Sequence, residues 1–239
     1  MSLTWFVLGL VAGSAANAVI DRLPAGRQGL GLWFAGRSHC DKCGHVLGWR
    51  DLVPVLSYLS LRGKCRYCRS PIGRRNFFLE LFMGISFAVM FNVQYSMFNL
   101  AIFWITTVIA VMDWETMLVS DWLVGLWFVL IVLTTQYSVL SFYGLLVGVG
   151  VIGGLWVLTK KRGMGEGDIG IAAVMGYWLG WPKIGVGLWV AFVAGAAFGI
   201  WQLAIGRKTM KSKIAFGPWL ILGAWVGFYW GQSLIDLIT

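Results

Sequence analysis

Asp113 and Asp168 are charges in places where an apolar chain should have none. Asp113 follows the apolar run Phe98–Met112, and Asp168, in Gly165-Glu166-Gly167-Asp168, precedes another. The 239-residue chain has only ten acidic residues, and five of them crowd into Asp113-Trp114-Glu115…Asp121 and Glu166-Gly167-Asp168. An ionisable group at the edge of a membrane segment is unfavourable there and points to function. Two neighbouring carboxylates cannot both ionise easily, so one keeps a proton while the other acts as base, and the titration belongs to the pair. Such a pair can activate water against a peptide carbonyl and protonate the departing amine. Gly163, Gly165 and Gly167 alternate ahead of Asp168, which permits an irregular backbone and close approach of a substrate chain. Position alone fits helix capping equally well: Asp113, Glu115 and Asp121 flank helix ends, and Asp168 precedes an apolar run. If residues 113–121 were helical, eight residues would separate Asp113 from Asp121 by ~12 Å and leave them about 80° out of alignment. Asp168 is therefore the expected partner of Asp113, and Asp121 is a capping or supporting residue.

The four cysteines form a second constellation. Cys40-Asp41-Lys42-Cys43 and Cys65-Arg66-Tyr67-Cys68 are two Cys-x-x-Cys pairs about twenty residues apart, the spacing of a zinc ribbon. Each pair turns two thiolates toward one ion, and four thiolates complete a closed, structural tetrahedron. Lys42, Lys64, Arg66 and Arg69 would offset its negative charge. His39 and His45 flank the first pair as alternative ligands, and disulfides are the competing reading, disfavoured in a reducing compartment.

The elements that position these groups follow from composition. Hydrophobic residues make up 59% of the chain and charged residues 12%, which predicts an all-α polytopic membrane protein. Leu3–Ile20 is of spanning length. Phe77–Met112, Trp122–Leu158 and Ile169–Ile205 are each long enough for two spans. They break at Asn92-Val93-Gln94-Tyr95-Ser96, Thr134-Thr135-Gln136-Tyr137-Ser138 and Trp181-Pro182-Lys183. Ala215–Ile235 adds a last span, for about eight helices. The expected division is a first helix at 1–20, a zinc-ribbon-like loop at 21–76 and a seven-helix core at 77–239. A cleaved signal peptide is disfavoured because no Lys or Arg precedes the first run. Of nineteen Lys and Arg, eleven lie in 21–76, three in 159–168 and four in 206–214, leaving Lys183 alone on the other side. The positive-inside rule makes that face cytoplasmic, with Asp113 and Asp168 on it and both termini outside. The net charge of +9 fits contact with anionic membrane lipid and does not call for nucleic acid.

The chain resembles the prepilin peptidases, or type IV leader peptidases. The resemblance rests on an ordered series of motifs. Gly13-Ser14-x-x-Asn17…Arg22-Leu23-Pro24 and the two Cys-x-x-Cys pairs flank Pro54-Val55-Leu56-Ser57-Tyr58-Leu59-x-Leu61-Arg62-Gly63. Arg75…Glu80-Leu81, Asp113…Asp121, Gly163-Met164-Gly165-x-Gly167-Asp168 and Phe216-Gly217-Pro218 follow. The resemblance implies an eight-helix GxGD-type intramembrane aspartic protease of the bacterial inner membrane. Such an enzyme cuts the basic leader of prepilins or type II secretion pseudopilins after a glycine, at the cytoplasmic membrane face. By the same resemblance Asp113 and Asp168 are catalytic and Cys40, Cys43, Cys65 and Cys68 bind zinc; Gly165, Gly167 and Asp121 are the residues expected from their own placement to support the pair. Many such proteins also methylate the new N-terminus with S-adenosylmethionine. Two positions depart from the pattern: Ser120 where proline usually precedes the second aspartate, and Gly170 where a lysine commonly stands.

Overall fold

A computed structural model describes residues 2–23, 37–92, 96–135, 138–160, 164–207, 212 and 214–237. Apolar runs long enough to close their own backbone hydrogen bonds become helices: α1 (Ser2–Arg22), α3 (Arg74–Asn92), α4 (Met97–Thr116), α5 (Asp121–Thr134), α6 (Val139–Leu158), α7 (Glu166–Leu179), α8 (Lys183–Ala204) and α9 (Gly217–Asp236). The short α2 (Leu56–Ser60) and a 3-10 turn at Trp49–Asp51 lie between α1 and α3. Among the described residues there are no strands, only the isolated bridges His39–Val46 and Lys64–Pro71. The three predicted breaks fall between α3 and α4, α5 and α6, and α7 and α8. Residues 93–95 and 136–137 within them lie outside the described residues, as do Pro24 and Gly163 of the quoted motifs and Arg27, Lys161, Arg162, Lys208, Lys211 and Lys213 of the basic loops. Among the described residues α1, α4, α6 and α8 are long and apolar enough to cross a membrane. The helices outrun the apolar stretches, so Asp113 sits inside the last turn of α4 and Asp168 inside the first turn of α7.

The chain forms two compact units, Met1–Trp104 and Ile105–Thr239. In the first, α1 and α3 run antiparallel at close range. A Cβ on Gly13 would lie 2.6 Å from the Glu80 Cα, and Gly9 faces the backbone of Met83 and Gly84. Nearer the loop, Asn17 donates to the Asn76 carbonyl, and Arg75 reaches both Asn17 and Asp21. In the second unit α6 and α7 meet backbone to backbone at Gly144–Gly176 and Gly148–Ala172, and α8 and α9 do so at Gly187–Gly223. Small residues let membrane helices approach this closely, so that dispersion and carbonyl contacts hold them.

Contacts along the helices fix their directions. Val119 with Gly167 and Phe128 with Tyr177 make α5 and α7 parallel. Ile171 with Gly217 and Trp178 with Trp225 do the same for α7 and α9. Asp113 with Gly217 and Thr106 with Trp225 set the second half of α4 against them. Hence α4 ends where α5, α7 and α9 begin. Farther along, Trp178 packs against Trp127, Trp225 and Phe228.

Candidate active site and cysteine cluster

That shared end of the second unit holds both aspartates. Each is 5% exposed, among the few buried polar side chains described. The Asp113 Oδ2 accepts the Gly217 N–H at 2.9 Å, at the start of α9. The Asp168 Oδ2 accepts the Gly165 N–H at 3.0 Å, across the first turn of its own helix. Both carboxyls thus lie at the end where α4 finishes and α7 and α9 begin. Both residues therefore serve helix starts. Each carboxylate satisfies one of the orphan N–H groups of a helix start, where the dipole favours negative charge.

Glycine is needed at two of these positions. A Cβ on Gly217 would lie 2.7 Å from the Asp113 Oδ2, and one on Gly167 would lie 2.5 Å from the Val119 Cβ. Gly165, the N-cap residue of α7, is exposed and supplies its N–H to Asp168. Asp121 does not cap α5 as its position suggested. The N-cap is Ser120, with no side-chain capping bond, and Asp121 is the first helical residue, exposed in the turn where the dipole favours an acid. Glu115 and Glu166 are also exposed, at the end of α4 and the start of α7. Gly217 is the residue that charge patterning overlooked. Its signal is a glycine before a proline at the head of an apolar run, a helix start with a bare N–H.

In the first unit the four cysteine sulfurs lie within 4.8 Å of one another. The Cys40–Cys68 Sγ distance is 3.8 Å, equal to the edge of about 3.8 Å that a tetrahedron with Zn–S bonds of ~2.3 Å requires. The two knuckles repeat one another. Gly44 N–H donates to the Cys40 carbonyl and Arg69 N–H to that of Cys65, while Cys40 N–H donates to His45 and Cys65 N–H to Ser70. Gly44 (φ 69°) and Arg69 (φ 57°) hold the same left-handed turn. The N–H groups of Cys43 and Lys42 pull the Cys40 thiol down to about 6, and the Ser70 hydroxyl and N–H lower Cys68, whereas Cys43, despite the His45 N–H, is pushed up to about 11 by burial and the adjoining Cys68 and Cys40 sulfurs. Thiolates are the metal-binding form. The four-sulfur set leaves the histidines out. The His45 ring packs on Tyr67 at 3.6 Å between centroids, and His39 turns to the Arg37 carbonyl. Arg66 Nε meets Asp51 at 2.6 Å, which ties the second knuckle to the 3-10 turn.

Comparison with known proteins finds two family matches in series. Residues 7–94 match the bacterial peptidase A24 N-terminal domain, and residues 100–200 match the type IV leader peptidase family. A prepilin leader peptidase/N-methyltransferase of Pseudomonas putida is 30% identical, covering 95% of this chain and 90% of its own length. One of Aeromonas hydrophila is also 30% identical, covering 96% and 90%. Another, from Burkholderia pseudomallei (strain K96243), is 34% identical over 97% and 86%. No solved structure gives a significant match.

Proposed function

This chain belongs to the type IV leader peptidase family, and on that premise we propose that it removes the basic leader of prepilins or type II secretion pseudopilins, cutting after a glycine. It is a peptidase with several membrane-crossing helices. In our reading all eight long helices span, divided as 1–20, a cytoplasmic loop at 21–76 and a core at 77–239. The observation that carries the chemistry is the pair of buried carboxylates at one end of the second unit, each with one oxygen held by a backbone N–H. With those oxygens fixed, the pair keeps one proton. The ionised member takes a proton from water as its oxygen attacks the scissile carbonyl. The protonated member then donates to the departing amine as the C–N bond breaks. Gly165 and Gly167 support Asp168, and Asp121 belongs to the rim.

The four cysteines fit zinc, which would be structural and lock the two knuckles together. No step passes through it. The relatives' names pair the peptidase with an N-methyltransferase, and we propose methylation of the new N-terminus as a second activity. No residue of this chain is assigned to S-adenosylmethionine, and the peptide-bond chemistry needs none. Mass spectrometry of a mature pilin N-terminus tests both activities. Cleavage after a glycine with one added methyl group is expected. Cleavage elsewhere refutes the peptidase assignment, and an unmethylated product refutes the second activity.

Two consequences belong to this reading. Gly217→Ala forces a methyl group against the Asp113 carboxylate and should lower processing by about 10²-fold, the order of effect of a ~1 Å misplacement. Gly185→Ala, which meets nothing within 4 Å, should leave processing intact; equal rates for the two variants would refute the placement. Glu115, Asp121 and Glu166 form an acidic rim that attracts a basic leader. Glu115→Gln/Glu166→Gln should raise KM several-fold and flatten its salt dependence, because screening acts on exposed charge. An unchanged KM at low and high salt would count against the rim.

A further inference from the structure

The segment between the two cysteine knuckles is built unlike a solvated loop. Trp49 is 74% exposed, Leu56 65%, Leu59 56% and Leu52 40%, an apolar series within eleven residues. It is also held low beside α3. Glu80, only 8% exposed, accepts the Val55 N–H at 2.8 Å. Glu80 lies six residues past Arg74, a rise of ~9 Å along the helix. Tyr58 meets Phe77 with ring centroids 5.2 Å apart. The chain at Val55 adopts φ 61°, ψ −50°, and Leu56 N–H returns to the Pro54 carbonyl. That is a tight γ-turn, rare for a β-branched residue and unfavourable without an anchor. So α2 flanks the first two turns of α3 and does not stand beyond its basic end. On the same two turns of α3 and just beyond them, Phe78 and Phe82 are themselves exposed.

Charge completes the picture. Residues 21–76 hold eleven Lys and Arg against Asp21, Asp41 and Asp51. Arg50 stacks over the Trp49 ring at 5.2 Å. Trp49, Arg50, Val53, Leu56, Ser57 and Ser60 line a shallow notch of about 310 Å³. Apolar side chains with an interfacial tryptophan, two hydroxyls and a guanidinium are the contacts that an anionic phospholipid head and its upper acyl chain require. We propose that Trp49–Ser60 is an interfacial lip. In it Trp49, Leu52, Leu56 and Leu59 insert at the headgroup boundary, and the Arg50 notch takes one anionic phospholipid. The inference takes α3 as a membrane span, as proposed above, and is independent of the peptidase chemistry.

Photocrosslinking on the full chain in phosphatidylglycerol liposomes tests it. The photoreactive p-benzoylphenylalanine is placed singly at Trp49, Leu56 or Leu59, at Phe82 of α3 and at the exposed knuckle residue Tyr67. Lipid adducts are expected at 49, 56, 59 and 82, with at least a fivefold lower yield at 67. Arg50→Gln should lower the yield at Leu56 at least threefold in phosphatidylglycerol and leave it unchanged in phosphatidylcholine. Adducts at 82 without adducts at 49, 56 and 59 overturn the lip while leaving α3 as a span; no adducts at 82 overturn both. Adducts to a second protein chain at these positions, or an Arg50→Gln yield unchanged in phosphatidylglycerol, also overturn the proposal.

Discussion

Asp113→Asn and Asp168→Asn are each expected to cut prepilin processing by at least about 10³-fold, with the protein still accumulating in the membrane. A positioned acid or base contributes about 10²–10⁴-fold. Groups that act as one unit fail together, so the double variant should be no more than a few-fold worse than either single. Asparagine is the informative substitution. Its oxygen still accepts the Gly217 or Gly165 N–H, so the helix ends stay capped while the titrating group is gone. Alanine would remove cap and chemistry together. Processing at the unmodified rate by either asparagine variant would refute the dyad.

Cys65→Ser should take the metal from about one zinc per chain to nearly none and open the loop to protease. Cys65 is the buried member of the four, 4% exposed. Without the ion the two knuckles are held by a handful of backbone hydrogen bonds, whereas a structural four-sulfur site binds with roughly 10–16 kcal/mol. His45→Ala should retain the metal, because that ring packs on Tyr67 and lies outside the sulfur cluster. Elemental analysis of purified protein with limited proteolysis reads both variants. Metal-free protein with four freely titrating thiols would sink the site. So would metal loss in His45→Ala that matches Cys65→Ser.

Much of this is legible in the chain itself. Apolar runs with polar breaks located the long helices, and Cys-x-x-Cys spacing located the sulfur cluster, because both signals are local in the chain. Helix ends were less legible. Arg75 and Glu80 are charged yet helical: Arg75 bonds Asn17 and Asp21 of α1, and Glu80 accepts the Val55 N–H of the loop. Asp121 looked like a cap because acids at helix starts are favoured at several positions, and sequence does not say which residue leaves the helical conformation first. Least legible were contacts between distant segments. Neither the Gly217–Asp113 bond nor the Glu80–Val55 bond leaves a periodic trace.

The two carboxylates also differ in when they can be satisfied. Asp168 finds its N–H three residues away, as soon as the first turn of α7 forms. Asp113 waits for a partner 104 residues downstream, which is about 5–20 s of synthesis at ordinary elongation rates. Until α9 is made, the nascent chain carries one settled carboxylate and one that has not met its helix end. On the proposed dyad, competence to cut is thus deferred until α9 has been made, after the helices that precede it in the chain.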